Sequence, residues 1–257
     1  GVPLFKSSPA YKNIANKRPI TDMIGTKLTD KNYRTIREMK DATDMLILDT
    51  LFGQKDRFGN THSYHTFMTV DPATNKLDKM TLRAVGKLIK KKGTEAEKKA
   101  FARAEKMPKA WLKEVRKRDA IILPLAKKFL TRLGYRHAHS QELLLKDNDC
   151  GLKDSNIFMR HKLIEGVYHI SKSTYEQLMK LATVALLGDL DAYLKDNLGM
   201  SSGQIDQFKD GLSYVSNNLR NKYDKGQLHL DLNVKSHFRG EGTDPIVITK
   251  DKTIDGF

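Results

Sequence analysis

The stretch Asp49-Thr-Leu-Phe-Gly53-Gln-Lys-Asp56-Arg57-Phe-Gly-Asn60-Thr-His-Ser-Tyr64 closes a long segment of helical periodicity and leads into a run rich in aromatic and β-branched residues. A carboxylate, a guanidinium and an amide stand close together at its centre, in Asp56, Arg57 and Asn60. The pattern has two readings. An Asp-Arg pair followed by Gly-Asn is an ordinary helix stop and turn. It is also the form of a catalytic loop, and a second acidic stretch, Leu143-Leu-Leu-Lys-Asp147-Asn-Asp149, supplies a further carboxylate at the end of a short apolar run.

Working outward, the residues before the loop predict a helix that starts at Thr29 or Asp30, either of which can cap the free amides of a first turn. Tyr33, Ile36, Met39 or Lys40, Thr43, Ile47 and Leu51 recur at helical spacing, and Gly53 suits a left-handed stop. Residues 1–28 contain Pro3, Pro9 and Pro19 without a sustained period and read as an arm laid across the rest. After the loop, residues 62–70 read as a strand and 71–75 as a turn. Helices are expected over 78–92, over 94–106 with a capping box from Thr94 and Glu97, and over 108–133, where Trp111, Val115, Ile122, Leu125, Phe129 and Leu133 make one face. Pro124 should kink or divide the last of these.

Residues 135–145 predict a second strand, and 155–166 a helix. Ser173 and Glu176 suggest a capping box opening a helix whose Met and Leu stripe over 178–187 is expected to be core. That helix should break at Gly188, resume to Leu198, and be followed by another over 202–223. The remainder reads as irregular, with one apolar run at 246–248. The fold class expected is mainly α with a few short strands, that is α+β.

Composition bounds the function classes. A chain of 257 residues can bury a substantial core, and 39% hydrophobic with 30% charged residues describe a soluble globular protein with no membrane span and no visible secretory signal. The absence of an initiator Met suggests a processed or trimmed chain, so secretion or host direction after N-terminal processing is left open and the compartment is unknown. The single cysteine, Cys150, excludes an intramolecular disulfide framework and reads as a packing residue. The net charge of +15 is concentrated: residues 73–139 hold 20 Lys and Arg against 6 Asp and Glu, leaving 26 against 25 elsewhere. This basic segment lies between the two acidic motifs and suits an anionic partner or a solvated helical surface. Its lysines lack interleaved aromatics, which argues against a stacking platform for single strands. His62 and His65 follow the loop closely enough to touch a phosphate, and His137 and His139 share a strand face, but neither pair has a third metal ligand.

Phosphoryl transfer asks for few protein groups: a carboxylate to orient the attacking hydroxyl, and oxygen donors for the divalent ions that neutralise the phosphates. Asp56 suits the first task and Asp147 the second, with oxygen donors matched to Mg²⁺ or Mn²⁺. At these residues the chain resembles a known family. Asp49-x-Leu51-x-Gly53-x-x-Asp56-Arg57 looks like the catalytic-loop signature of the secreted atypical kinases, typified by the Golgi casein kinase and the bacterial spore-coat kinases. It is more distantly similar to the loops of type II phosphatidylinositol 4-kinases and HipA-type toxin kinases. Asp147-Asn148 resembles the family's Asp-Asn-Gly, and residues 163–181 are similar to the helices that follow it in the Golgi group.

The resemblance implies a protein-kinase-like C-terminal lobe of atypical type over 29–257, carrying a basic helical insertion at about 73–139. It implies an enzyme that moves the γ-phosphoryl group of ATP to a hydroxyl, on a protein substrate, with Mg²⁺ or Mn²⁺. Asp56 carries over as the catalytic aspartate, Arg57 as the residue that structures the loop and Asp147 as the metal ligand. Asn60, which would contact cofactor and metal, lies four beyond Asp56, where the lipid and toxin kinases have five. Gln54 stands where these families often have Asn, and Asp149 replaces the usual Gly and adds a possible second ligand. No nucleotide-contacting lysine or N-terminal lobe can be assigned, so that lobe is expected on another segment or a partner chain. Two alternatives stand beside this one: a non-catalytic basic module for nucleic acid or an acidic partner, and a pseudokinase scaffold.

Overall fold

The computed structural model describes residues 6–53, 61–107, 112–145, 162–232, 238–239 and 246–248. Within them the chain runs α1 (Pro9–Ile14), a short 3-10 turn (Ile20–Met23), α2 (Asp30–Leu51), β1 (Thr61–Val70), β2 (Leu77–Thr81), α3 (Leu82–Lys92), α4 (Glu95–Glu105), α5 (Leu112–Arg132), β3 (Arg136–Leu145), α6 (Lys172–Leu186), α7 (Asp189–Leu198), α8 (Ser202–Asp224), β4 (Phe238–Arg239) and β5 (Val247–Ile248). The class is mainly α with a small antiparallel sheet, as the periodicities imply. Among the described residues no helix is long and apolar enough to cross a membrane.

The sheet has the order β2-β1-β3, and β1 is antiparallel to both neighbours. Its two faces serve different cores, because side chains alternate along a strand. Met68, Val70 and Ala138 point into a core made with α2, α6, α7 and α8, whereas Phe67 points into a second core with Val85, Ile89, Phe101, Ala104, Ile122, Ala126, Phe129 and Leu130. The basic segment 73–139 therefore shares a second interior with Phe67, built on one face of the sheet. The helix that leads to the central loop packs on the other.

Helix α2 begins as its sequence dictates. Thr29 and Asn32 form a reciprocal cap, and Tyr33, Ile36, Met39, Thr43, Ile47 and Leu51 are all buried along one side. Gly53 takes a left-handed φ of 60° just beyond the last turn. The arm packs on this scaffold. Ile14, Ile20 and Leu28 enter the larger core, and residues 25–28 exchange three backbone hydrogen bonds with 246–248: Gly25 N–H to Ile248 O, Leu28 N–H to Ile246 O, and Ile248 N–H to Thr26 O.

Several expectations are corrected. The helix expected over 78–92 is a strand followed by a helix: Leu77–Thr81 pairs with the second half of β1, and Thr81 then turns N-cap, its hydroxyl accepting from Ala84 N–H. Pro124 does not divide α5. Pro124 and Ala120 both lie on its exposed side, where solvent can serve the carbonyl that the ring leaves without a donor. The cap of α6 is Ser171, whose hydroxyl accepts from Thr174 N–H, so Ser173 lies inside the helix. The stripe over 178–187 is core only in part, since Leu178 and Ala185 are buried but Leu186 is 88% and Leu187 71% exposed. Helix α6 ends at Leu186, and Gly188 with φ 84° turns the chain into α7, which swings these two leucines outward. Within the apolar run at 246–248, Val247–Ile248 is a short strand rather than irregular chain. Cys150, Trp111 and most of the helix expected over 155–166 lie outside the described residues.

Candidate active site

The two acidic motifs are framed by elements packed into the fold. At the first, the end of α2 is clamped. Asp49, Thr50 and Leu51 are buried, the Phe52 ring packs at a tilt against Phe208 of α8 with centroids 5.2 Å apart, and Gly211 of α8 comes so near that a Cβ there would lie 3.1 Å from Thr50 O. The chain resumes at Thr61, the first residue of β1. At the second motif the chain leaves from Leu145, the last residue of β3, and is held again at 163–167.

The register of the sheet joins these two frames. Thr61 is paired directly with Leu145, and the pairing runs without a break to Val70 and Arg136. The chain therefore enters β1 and leaves β3 at the same end of the sheet, on adjacent strands. Asp56, Arg57, Asn60, Asp147 and Asp149 all lie outside the described residues, as does Gln54. Sequence connectivity ties Asn60 to Thr61 and puts Asp147 two residues beyond Leu145.

Close to this end lies a charge cluster that periodicity did not announce. Glu142 of β3 is buried, directly opposite Tyr64 of β1. Its carboxylate accepts from the Tyr64 hydroxyl at 2.5 Å, from Lys79 at 3.1 Å to both oxygens, and is paired with Arg37 of α2 at 3.0 Å. Arg37 also reaches Asp41 at 3.2 Å. Burial alone would raise the pKa of Glu142, but the Tyr64 hydrogen bond and the two cations outweigh it and hold the carboxyl below its ordinary value. The same hydrogen bond, with burial, pushes Tyr64 up to about 12. One carboxylate thus ties β1, β2, β3 and α2 together three residues from the point where both motifs begin. The alternation of β3, polar where a core face was due, was the available signal.

On the opposite face, His65 is committed within the fold. Its Nε2 lies 3.0 Å from Asp119 of α5 and its Nδ1 3.0 Å from His139 Nε2. The expectation that His65 would meet a phosphate is therefore corrected, because both ring nitrogens already have protein partners; the side chain of His62 lies outside the described set. His137 and His139 do share a face, against Phe67. Burial, then the neighbouring His65 and Lys127, drive His139 down to about 4, so it is neutral at ordinary pH.

No family model, curated protein or solved structure matches the chain.

The return of the second segment is fixed by Lys222 of α8. Its ammonium donates to the carbonyls of Ile164 at 3.0 Å, Glu165 at 2.8 Å and Val167 at 2.9 Å, so three acceptors take its three protons. Burial draws its pKa down to about 8, which leaves it protonated at neutral pH. Among the described residues no group of three His, Cys, Asp or Glu could hold a metal ion. The metal ligands expected from the sequence, Asp147, Asp149 and Asn60, carry oxygen donors of the kind that Mg²⁺ or Mn²⁺ prefer.

Proposed function

We propose that the chain carries the catalytic lobe of an atypical kinase-like phosphotransferase, acting on a hydroxyl of a protein substrate. The single observation that supports this reading best is the β1–β3 register. Thr61 opposite Leu145 makes neighbours of the two strand ends from which the acidic motifs extend, as a shared site would require.

In this reading Asp56 orients the attacking hydroxyl and accepts its proton, and Arg57 structures the loop around it. Asp147 holds the divalent ion, with Asp149 and Asn60 as the other oxygen donors within reach by sequence. When bound, ATP supplies the phosphoryl group and Mg²⁺ or Mn²⁺ neutralises the charge on its phosphates. The clamp of α2 by α8, the Glu142 cluster and Lys222 keep the anchors of both segments rigid, which favours positioning over adaptation. The nucleotide-covering lobe is assigned to a further segment or a partner chain.

The test is phosphoryl transfer from γ-labelled ATP by the full-length protein, with Mn²⁺ or Mg²⁺, beside Mn²⁺ binding followed by electron paramagnetic resonance. Asp56→Ala should cut labelling by about 10²-fold or more and leave the circular dichroism spectrum unchanged. Asp147→Asn should weaken Mn²⁺ binding. Undiminished labelling in the first variant, or undiminished Mn²⁺ binding in the second, sinks the assignment.

A further inference from the structure

We propose that the outer face of α3 and α4 binds the phosphate backbone of a double-stranded nucleic acid. This goes beyond the phosphotransferase reading and does not depend on it.

The first support is what remains after the insertion's ion pairs are made. Among the described residues, Glu95 is paired with Lys98, Glu97 with Arg132, Glu105 with Lys90, and Asp119 with Arg118. Arg83, Lys87 and Lys91 of α3, with Lys99, Arg103 and Lys106 along α4, are exposed and in no ion pair among the described residues. The cations exceed the local carboxylates, so the surplus is turned to solvent.

The second is their arrangement. Arg83, Lys87 and Lys91 recur every fourth residue on the side of α3 opposite buried Val85 and Ile89. Successive charges are therefore about 6 Å apart along the axis. Lys99, Arg103 and Lys106 form a second row opposite Phe101 and Ala104. The two helices are locked together, since a Cβ on Gly86 would come within 2.4 Å of the Phe101 ring. The rows are held at a fixed offset by a packed interior.

The third is what the face lacks. The large apolar side chains that are exposed, Leu186, Leu187, Tyr193 and Leu198 among them, lie on other elements, and α3 and α4 contribute none. A helix face that enters a lipid interface needs an apolar side. A protein interface gains most of its affinity from a central apolar or aromatic cluster, and single strands are held by stacking on aromatic rings. A duplex backbone needs none of these, only cations arranged to displace its counterions.

The experiment is fluorescence anisotropy of a labelled random-sequence DNA duplex of about 20 base pairs, titrated with the full chain from about 50 to about 200 mM salt. Binding should weaken by about 10²-fold or more over that range. The triple variant Lys87→Glu, Lys91→Glu, Arg103→Glu should bind at least tenfold more weakly at low salt, with a salt slope smaller by about three. A second triple variant to Ala at the same positions should fall in between, and both should keep the native circular dichroism spectrum. Asp56→Ala should bind as the parent does, so loss of labelling and loss of duplex binding are separable outcomes. The proposal is overturned by absence of binding at low salt, by a triple variant that binds like the parent, or by tighter binding to single strands, polyglutamate or anionic vesicles than to the duplex.

Discussion

Glu142 is a buried carboxylate whose cost is met by a full set of partners, and its removal should therefore be expensive in proportion. Replacing it with Leu leaves Arg37 and Lys79 without their shared counter-charge, and breaking a buried pair from one side costs roughly 3–5 kcal/mol. Urea denaturation of Glu142→Leu should show a loss of that order. Glu142→Gln keeps the shape and an acceptor for Tyr64, so its cost should be smaller. In that variant the phenol of Tyr64, held at about 12 by the carboxylate, should titrate closer to 10, the ordinary value. Absorbance titration of the tyrosines reads this directly, and an unmoved titration curve would mean that the hydrogen bond is not what raises Tyr64.

His139 gives the pH dependence its sign. Its folded value of about 4 lies below its ordinary 6.5, so the unfolded chain takes up a proton that the folded chain refuses. The contribution of the neutral ring is complete above pH 6.5 and is lost progressively as pH falls from there toward 4. The groups that face it are His65 and through it Asp119, then Lys127, Asp30 and Arg34. Urea midpoints measured across this window should decline, by of order 2–3 kcal/mol in total. His139→Gln should flatten the decline.

At the scale of elements, what could be read from the sequence was whatever rested on long periodicity and local capping. Helix α2 with its Thr29 cap and Gly53 stop, the strands β1 and β3, the Thr94–Glu97 box and the break at Gly188 all follow from neighbours close in the chain. Strand β2 did not, because Leu77-Asp-Lys-Met-Thr81 has no strand signature of its own and is made a strand by the free edge of β1. The exposed end of α6 was illegible for a similar reason, since hydrophobicity alone cannot say where a helix leaves the core. For the candidate site, the motif residues were readable as chemistry, whereas the Glu142 cluster and the His65 and Lys222 contacts join residues far apart in sequence. The basic segment offers a test at this scale. Gly86→Val should drive a branched side chain into the Phe101 ring and cost about 1–3 kcal/mol. Hydrogen exchange should then rise in α3 and α4, while α2 and α8, which belong to the other core, keep their protection. Equal loosening of all four would show that the two cores unfold as one.

Across the whole molecule, the larger core depends on chain segments that are distant in sequence, and the arm is one of them. His169 joins them. Its Nδ1 lies 2.9 and 3.0 Å from the two oxygens of Asp231, and its Nε2 lies 2.5 Å from the carbonyl of Asn16 in the arm. Both ring nitrogens therefore have oxygen partners, one on the tail and one in the arm. Asp231 also accepts from Ile20 N–H at 2.8 Å, and His229 reaches the carbonyl of Lys17 at 2.8 Å, so arm, centre and tail meet at one buried pair. His169→Ala removes one partner of that pair and leaves a buried carboxylate short of a hydrogen bond, for a loss of about 1–3 kcal/mol. A merely local cavity would not free the arm. The clasp predicts more: amides of residues 11–20 and 228–232 should lose hydrogen-exchange protection together, ahead of α2. His169→Gln, which can still donate to one acceptor, should recover part of both the stability and the protection. If the arm stays protected in His169→Ala, its hold comes from Ile14, Ile20 and the hydrogen bonds to 246–248, and the clasp is secondary.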